Sequence, residues 1–313
     1  MKEFYPMLTV KEQGVALITV MLILALATIL AVSMSSRQQL NIHRSSNIVN
    51  FEQAYQYVLG AESWAQQILK RDDKDNDTDS FQDDWALPLP ELPIEGGSMS
   101  GQIEDLQARF NLNNLVLNGK PQKSEIESFK RLLRVLGLKE ELSAVVVDWI
   151  DENEDVTFSG AEDNDYLNLP LPYRAANTAM QDVSELLLLK GFDFASYEKL
   201  RQYVCVLEAG TNININTVSA EVLTSLGTGL TVEDAKNLLL ERDKKTYASV
   251  EDFIQNPLFN NANIKKEGLS VNSRYFSLSS TVKIDRVNID FNSVFFREGE
   301  KSVMVLRRSR GVL

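Results

Sequence analysis

Between Val15 and Val32 the chain carries eighteen consecutive residues with neither a charge nor a strong helix breaker. That is just inside the roughly 17 to 25 residues a membrane-spanning helix needs, and a helix satisfies its own backbone in lipid. A secretory signal has a shorter apolar centre followed by small residues, and Ala-Val-Ser-Met-Ser at 31–35 supplies such residues. Hydropathy alone therefore leaves anchor and signal both open. What separates them is the continuation. Phe51, Ala54, Val58, Ala61, Ala65 and Ile68 keep an alternating three-four step, and neither Pro nor Gly interrupts residues 15–59. One helix over residues 15–70 is predicted, transmembrane over 15–32 and striped along one side beyond it. A discarded signal does not need that continuity.

The rest of the composition narrows the function. With 313 residues, 44% hydrophobic and 24% charged, the chain can bury more than one core. Its 44 acidic against 32 basic residues give a formal charge of −12, which opposes nucleic acid and anionic membrane surfaces and favours metal cations. Cys205, the one cysteine, lies between Val204 and Val206 and reads as a small buried hydrophobe. His43 is the one histidine and sits in a polar stretch, so a hydrolase built on a nucleophile and a histidine is disfavoured.

After Ile68 the run "KRDDKDNDTDS" dissolves the periodicity. Asp73, Asp75, Asp77 and Asp79 alternate as in a calcium loop but lack its Gly and closing Glu, so a solvated linker is expected. The Gly96-Gly97 turn and the alternation from Ser100 to Leu106 predict a hairpin packed on the long helix. From about Pro121 the pattern is helical. "SEIESFKRLLRVLG" has Ser124 as an N-cap with Glu127 three residues on, and Gly137 as a C-cap. "KEELSAVVVDWID" and "VSELLLLKG" read as further helices, to about residue 258. From Val271 alternation returns in "YFSLSSTVKIDRVNIDF" and "KSVMVLRRS". The expected fold class is α+β: a helix on a small antiparallel sheet (β parts 71–115 and 271–313), interrupted by an all-α block over 116–270.

The densest chemistry is "DWIDENEDVTFSGAEDNDYLNLPLPYRAAN", residues 148–177. Asp151, Asn153 and Asp155 offer oxygens at alternate positions, and Glu162, Asp163 and Asp165 offer more after the turn at Ser159-Gly160. With no soft or imidazole ligand here, the readings are a site for a hard cation or a solvated acidic loop, and spacing alone does not choose. A pair of carboxylates for glycoside hydrolysis lacks an aromatic platform. Further on, "ININTVSAEVLTSLGTGLTVEDAKNLLLERDKKTYASVEDFI" resembles a helix-hairpin-helix unit that presents backbone N–H groups to phosphate. Lys236, Lys244 and Lys245 would support that, but Glu233, Asp234, Glu241 and Asp243 are interleaved with them. No nucleic-acid partner is expected.

Lys11-Glu12-Gln13-Gly14 followed by Val15-Ala16-Leu17-Ile18 resembles the cleavage region of type IV pilins and pseudopilins. The resemblance implies a leader over residues 1–14, removal after Gly14 by a prepilin peptidase, and methylation of Val15. Most members carry Glu at the fifth mature position, thought to pair with a neighbour's amino terminus; this chain has Thr19. A carboxylate in the bilayer is costly unless paired, so Thr19 suits a subunit with no neighbour on that side. Lacking this Glu is a mark of the K-type minor pseudopilin of type II secretion. Glu95-Gly96-Gly97, Glu104 to Asn113, Asp148 to Asp151, Gly160 to Asp163 and Pro172 to Asn177 resemble that family too.

The resemblance implies a non-enzymatic tip subunit that initiates and caps the pseudopilus and supports export of folded periplasmic proteins. Calcium would bind in the 148–165 loop. Partners would be the I-type and J-type minor pseudopilins, the major pseudopilin and the prepilin peptidase. The chain would be single-pass in the inner membrane with its C-terminal domains in the periplasm. Ala54, Ala61 and Ala65 would let partner helices approach. The competing class is a membrane-anchored helix-hairpin-helix protein for DNA binding or uptake.

Overall fold

The computed structural model describes residues 10–75, 77–259, 263–299 and 302–311. Helix α1 (Val10–Asp75) is a single helix of 66 residues. From Gly14 to Val49 every side chain is exposed, and this stretch holds an 18-residue window long and apolar enough to cross a membrane. Gly14 and Val15 lie within the exposed, helical part; residues 1–9 of the expected leader fall outside the described residues.

Beyond Asn50 one side of α1 is covered. Ala54, Val58, Ala61, Ala65 and Leu69 are fully buried against Phe276, Leu278, Val282, Ile289 and Phe295. The small residues thus let α1 lie close on the chain's own sheet, not on partner helices as expected. A helix with one flat side of alanines packs onto whatever apolar face is nearest, and that face comes from the same chain.

The sheet has five strands: β1 (Leu89–Ile94), β2 (Gly97–Asp105), β3 (Tyr275–Ile284), β4 (Val287–Glu298) and β5 (Ser302–Arg310). They pair antiparallel in that order. Gly96 closes the first hairpin at φ +81°, a conformation glycine adopts without strain. The hairpin and the three final strands stand as predicted.

Residues 106–274 are inserted between β2 and β3, leaving across one rung of the ladder where Asp105 faces Phe276. The insert has its own core, with Phe110, Phe129, Leu132, Val146, Trp149 and Leu223 among its buried residues. Its helices are α2 (Lys123–Val135), α3 (Leu142–Ile150), α4 (Asp163–Leu167), α5 (Phe194–Leu200), α6 (Ala220–Leu226), α7 (Val232–Arg242) and α8 (Val250–Ile254). The block is not all-α. Phe110–Asn111 pairs with Val204–Cys205, Ile213–Asn214 with Leu269–Ser270, Val116–Leu117 with Lys120–Pro121, and Gly227–Thr228 with Asn263–Ile264. Residues 110–115 therefore pack with the insert and not with the sheet. Asparagines brace the first of these crossings: Asn111 Nδ2 donates to the Glu208 carbonyl while its Oδ1 accepts from Leu207 N, and Asn113 Nδ2 donates to the Met180 carbonyl while its Oδ1 accepts from Met180 N.

Helix ends follow the sequence in part. Gly137 ends α2 at φ +66°, with Leu138 N donating to the Leu133 carbonyl, as expected. Ser124 is not its N-cap, because the helix already starts at Lys123. Val183–Leu188 is a 3₁₀ turn, not an α-helix, set by Asp182 and Glu185 capping each other.

Candidate functional site

Two acidic regions of the structure differ in what neutralises them. The first was expected to be a solvated linker. Instead α1 runs on to Asp75, and Asp72 and Asp79 turn inward to meet Arg297 of β4. Arg297 Nη2 donates to Asp79 Oδ2 at 2.5 Å and Nη1 to Asp72 Oδ2 at 3.2 Å, and the guanidinium also stacks over Phe276. A fully buried arginine demands carboxylates, and this demand pulls the acidic run out of solvent. Burial holds the Asp79 carboxyl well above the usual range against the pull of Arg297. Of the other alternating positions Asp77 is exposed, and the side chains of Asp73 and Asp75 lie outside those described.

The second region is the 148–165 loop. Helix α3 ends at Ile150, and a spacing of three puts Asp148 and Asp151 on one face of its last turn. The chain loops out, turns at Ser159 with φ +68°, and returns at Gly160. A Cβ on Gly160 would stand 1.9 Å from Asp148 Oδ2, so only glycine lets the returning chain pass the carboxylate. Glu162 follows, immediately before α4. Asp148, Asp151 and Glu162 are thereby buried together, at 0, 1 and 2% exposure.

Their partners are uneven. Asp148 accepts from Thr157 Oγ1 at 2.7 Å and Thr157 N at 3.2 Å. Both oxygens of Asp151 and both of Glu162 are buried without a hydrogen bond of normal geometry. Burial first, then the neighbouring Asp148 charge, pushes Asp151 up to about 6 and Glu162 up to about 7. These three do not form a closed shell: among the described residues, only Asp72, Asp79 and Asp83 bring three carboxylate oxygens within 4.8 Å of one another.

The other expected ligands lie elsewhere. Asn153 and Asp155 are exposed, Asn153 Oδ1 accepting from Asp155 N at 2.8 Å. Asp163 takes Ala175 N at 2.9 Å and Arg174 at 3.2 Å, and Asp165 takes Lys190 at 2.7 Å, which lowers its pKa. These two tether the loop to the flanking segments. Asp148, absent from the expected set, is the residue sequence reasoning missed; its signal was the i, i+3 spacing to Asp151. Orphaned buried carboxylates with hard oxygen donors fit a calcium ion, because an unpaired buried charge otherwise costs several kcal/mol. Trp149 lies next to Asp148 in the sequence, its Nε1 donating to Glu185 at 3.0 Å and its ring edge-on to Tyr166.

The hairpin between α6 and α7 has a protein-packing task. A Cβ on Gly227 would stand 2.7 Å from Ile264 Cγ1, so that glycine admits the strand at 263–264.

Residues 108–209 and 213–272 match family descriptions for type II secretion system (T2SS), protein K. The type II secretion system protein K of Pseudomonas aeruginosa is 34% identical over 312 residues, covering 96% of this chain and 93% of the relative. The chain belongs to the protein K family of type II secretion systems. The protein K of Pectobacterium carotovorum is 33% identical, covering 96% of this chain and 97% of that one. A crystal structure of the GspK-GspI-GspJ complex from enterotoxigenic Escherichia coli aligns with TM-score 0.77 and 29% identity, over 86% of this chain and 100% of that chain. The chain is thus a minor pseudopilin of the type II secretion system, with an α+β pseudopilin fold and an apolar N-terminal helix suited to a single-pass anchor.

Proposed function

We propose that this minor pseudopilin occupies the tip of the pseudopilus, where it initiates assembly with I-type and J-type minor pseudopilins and supports export of folded proteins from the periplasm. The observation that carries this reading is the insert. A body made of α1 and a five-stranded sheet bears the whole of residues 106–274 between β2 and β3, and so large an addition obstructs a further subunit above it. The crystallised relative assembles with GspI and GspJ, which supports the same partners here.

Thr19 fits the position. Its hydroxyl donates to the Ala16 carbonyl at 2.9 Å, so it is satisfied inside its own helix. A chain with Thr19 needs no neighbour's amino terminus in the membrane. A Thr19→Glu strain should assemble the tip complex less well; unchanged tip assembly and wild-type secretion would remove that argument. The N-terminal mass of the protein from cells with and without prepilin peptidase tests the processing step. A chain beginning at methylated Val15 only when the peptidase is present supports it, and an uncut chain, or one cut near Ser33, rejects it. In this reading residues 15–32 of α1 span the inner membrane, against the major pseudopilin, and the C-terminal domains stand in the periplasm.

Calcium is the structural ion of the insert in this reading. Asp151 and Glu162 would hold it, with Asp148 behind them, and it would supply positive charge that lets the two ends of the loop close. Adding Ca²⁺ should raise the melting temperature and EGTA should reverse the rise; no change in either direction would exclude the ion.

A further inference from the structure

Among the described residues, the acidic segment at the end of α1 brings more carboxylates together than its one arginine meets. Asp72, Asp79 and Asp105 are buried and Asp83 half-buried, while Arg297 is the guanidinium that meets Asp72 and Asp79. Asp105 is satisfied by hydroxyls and amides alone: Thr217, Ser273, Asn214 and the Gln107 N–H. The segment also follows the C-terminal end of α1, where the helix dipole is negative. Among the described residues, the nearby cations Arg71 and Arg242 serve Asp84 and Asp243.

We propose a second cation site, separate from the 148–165 loop, in which Asp72, Asp79 and Asp83 bind calcium where α1 meets the sheet. One oxygen from each of the three lies within 4.8 Å of the other two. Two oxygens on opposite sides of one calcium ion, each at roughly 2.3–2.6 Å, stand about that far apart. The second observation is independent of the clustering: Asp79 is 1% exposed and its Oδ1 is buried without a hydrogen-bond partner. Arg297 and Ser273 N already occupy its Oδ2, so Oδ1 is the oxygen left for an ion. Asp83, whose carboxylate also accepts from Ser80 N at 2.6 Å, is half-buried and gives the ion a way in from solvent.

Calcium stoichiometry of the full chain in detergent micelles, measured by equilibrium dialysis after chelation, tests the site. Asp151→Asn with Glu162→Gln disables the loop. That double variant should retain one equivalent of calcium and still melt higher when calcium is added, and adding Asp83→Asn should abolish both. A loop-disabled chain that keeps no calcium, its melting moved by pH alone, would overturn the proposal in favour of a proton. Terbium luminescence in the otherwise native chain gives a readout that does not depend on those variants folding. Trp85, two residues from Asp83 and fully buried, should sensitise bound Tb³⁺. Trp85→Phe should remove that part of the emission, and Trp149→Phe the part from the loop. Emission lost entirely with Trp149→Phe would also count against the site.

Discussion

The two acidic regions look alike in the sequence and are neutralised differently in the fold. At the end of α1 a distant arginine enters the cluster; in the 148–165 loop no guanidinium or ammonium of the described residues reaches Asp151 or Glu162. Acidity alone therefore says little about a site. What distinguishes the two is how much of the charge the fold meets with a cation of its own: part of it at the end of α1, where an arginine covers Asp72 and Asp79 and leaves room for an ion beside them, and none at Asp151 and Glu162.

Removing that delivered cation should have the largest effect. Arg297→Met takes the guanidinium away from buried Asp72 and Asp79, and a loss of about 3–5 kcal/mol is expected in denaturant unfolding of the full chain. The loop should respond with the opposite sign. Glu162→Gln removes a carboxylate that is buried unpaired once ionised, so above pH 7 the metal-free chain should gain about 1–3 kcal/mol while losing its response to calcium. A metal-free loss in that variant would break the contrast. Gly160→Ala drives a methyl into Asp148 and should cost about 1–3 kcal/mol together with weaker calcium binding, read by calorimetry.

The pH dependence sharpens the same contrast. Asp151 rises from 3.8 to about 6 and Glu162 from 4.5 to about 7, so the metal-free folded form holds protons that the unfolded chain releases. Their contribution to stability is full below pH 3.8 and fades as pH rises to about 7; calcium affinity should climb over the same interval, as the ion needs the carboxylates ionised. Thermal melts with EGTA and with Ca²⁺ from pH 4 to pH 8 check both slopes. The smallest effect belongs to Asn153→Ala and Asp155→Asn, exposed positions whose loss should leave melting within experimental error.

Long-period patterns were legible in the sequence. The helix through residue 68 and the alternation of β3 to β5 announce themselves because one buried face repeats over many residues. The four short strand pairs of the insert do not, since two residues carry no period, and in two of the pairs Asn111 and Asn214 reach carbonyls far away in the sequence. The acidity of the loop was legible, but its ligands were not. Alternate spacing points to Asn153 and Asp155, whereas the turn at Ser159 brings the end of α3 and the start of α4 together and leaves those two outside. Arg297 lies 225 residues from Asp72 and 218 from Asp79, a separation at which no local pattern links them.

The rung at which Asp105 faces Phe276 has a consequence for how such a chain can be built. Strand pairing continues without a break from β2 to β3 although more than half the protein intervenes, so a plain turn across that rung would close an uninterrupted meander. The site is a natural graft point. Cargo of quite different size or shape could be carried there while the membrane rod and its sheet kept the geometry a fibre needs, with Asp105, whose hydroxyl and amide partners all come from the exchanged part, Tyr275, bonded to Glu208, and Arg307, paired with Asp182, among the strand residues that would have to change with it.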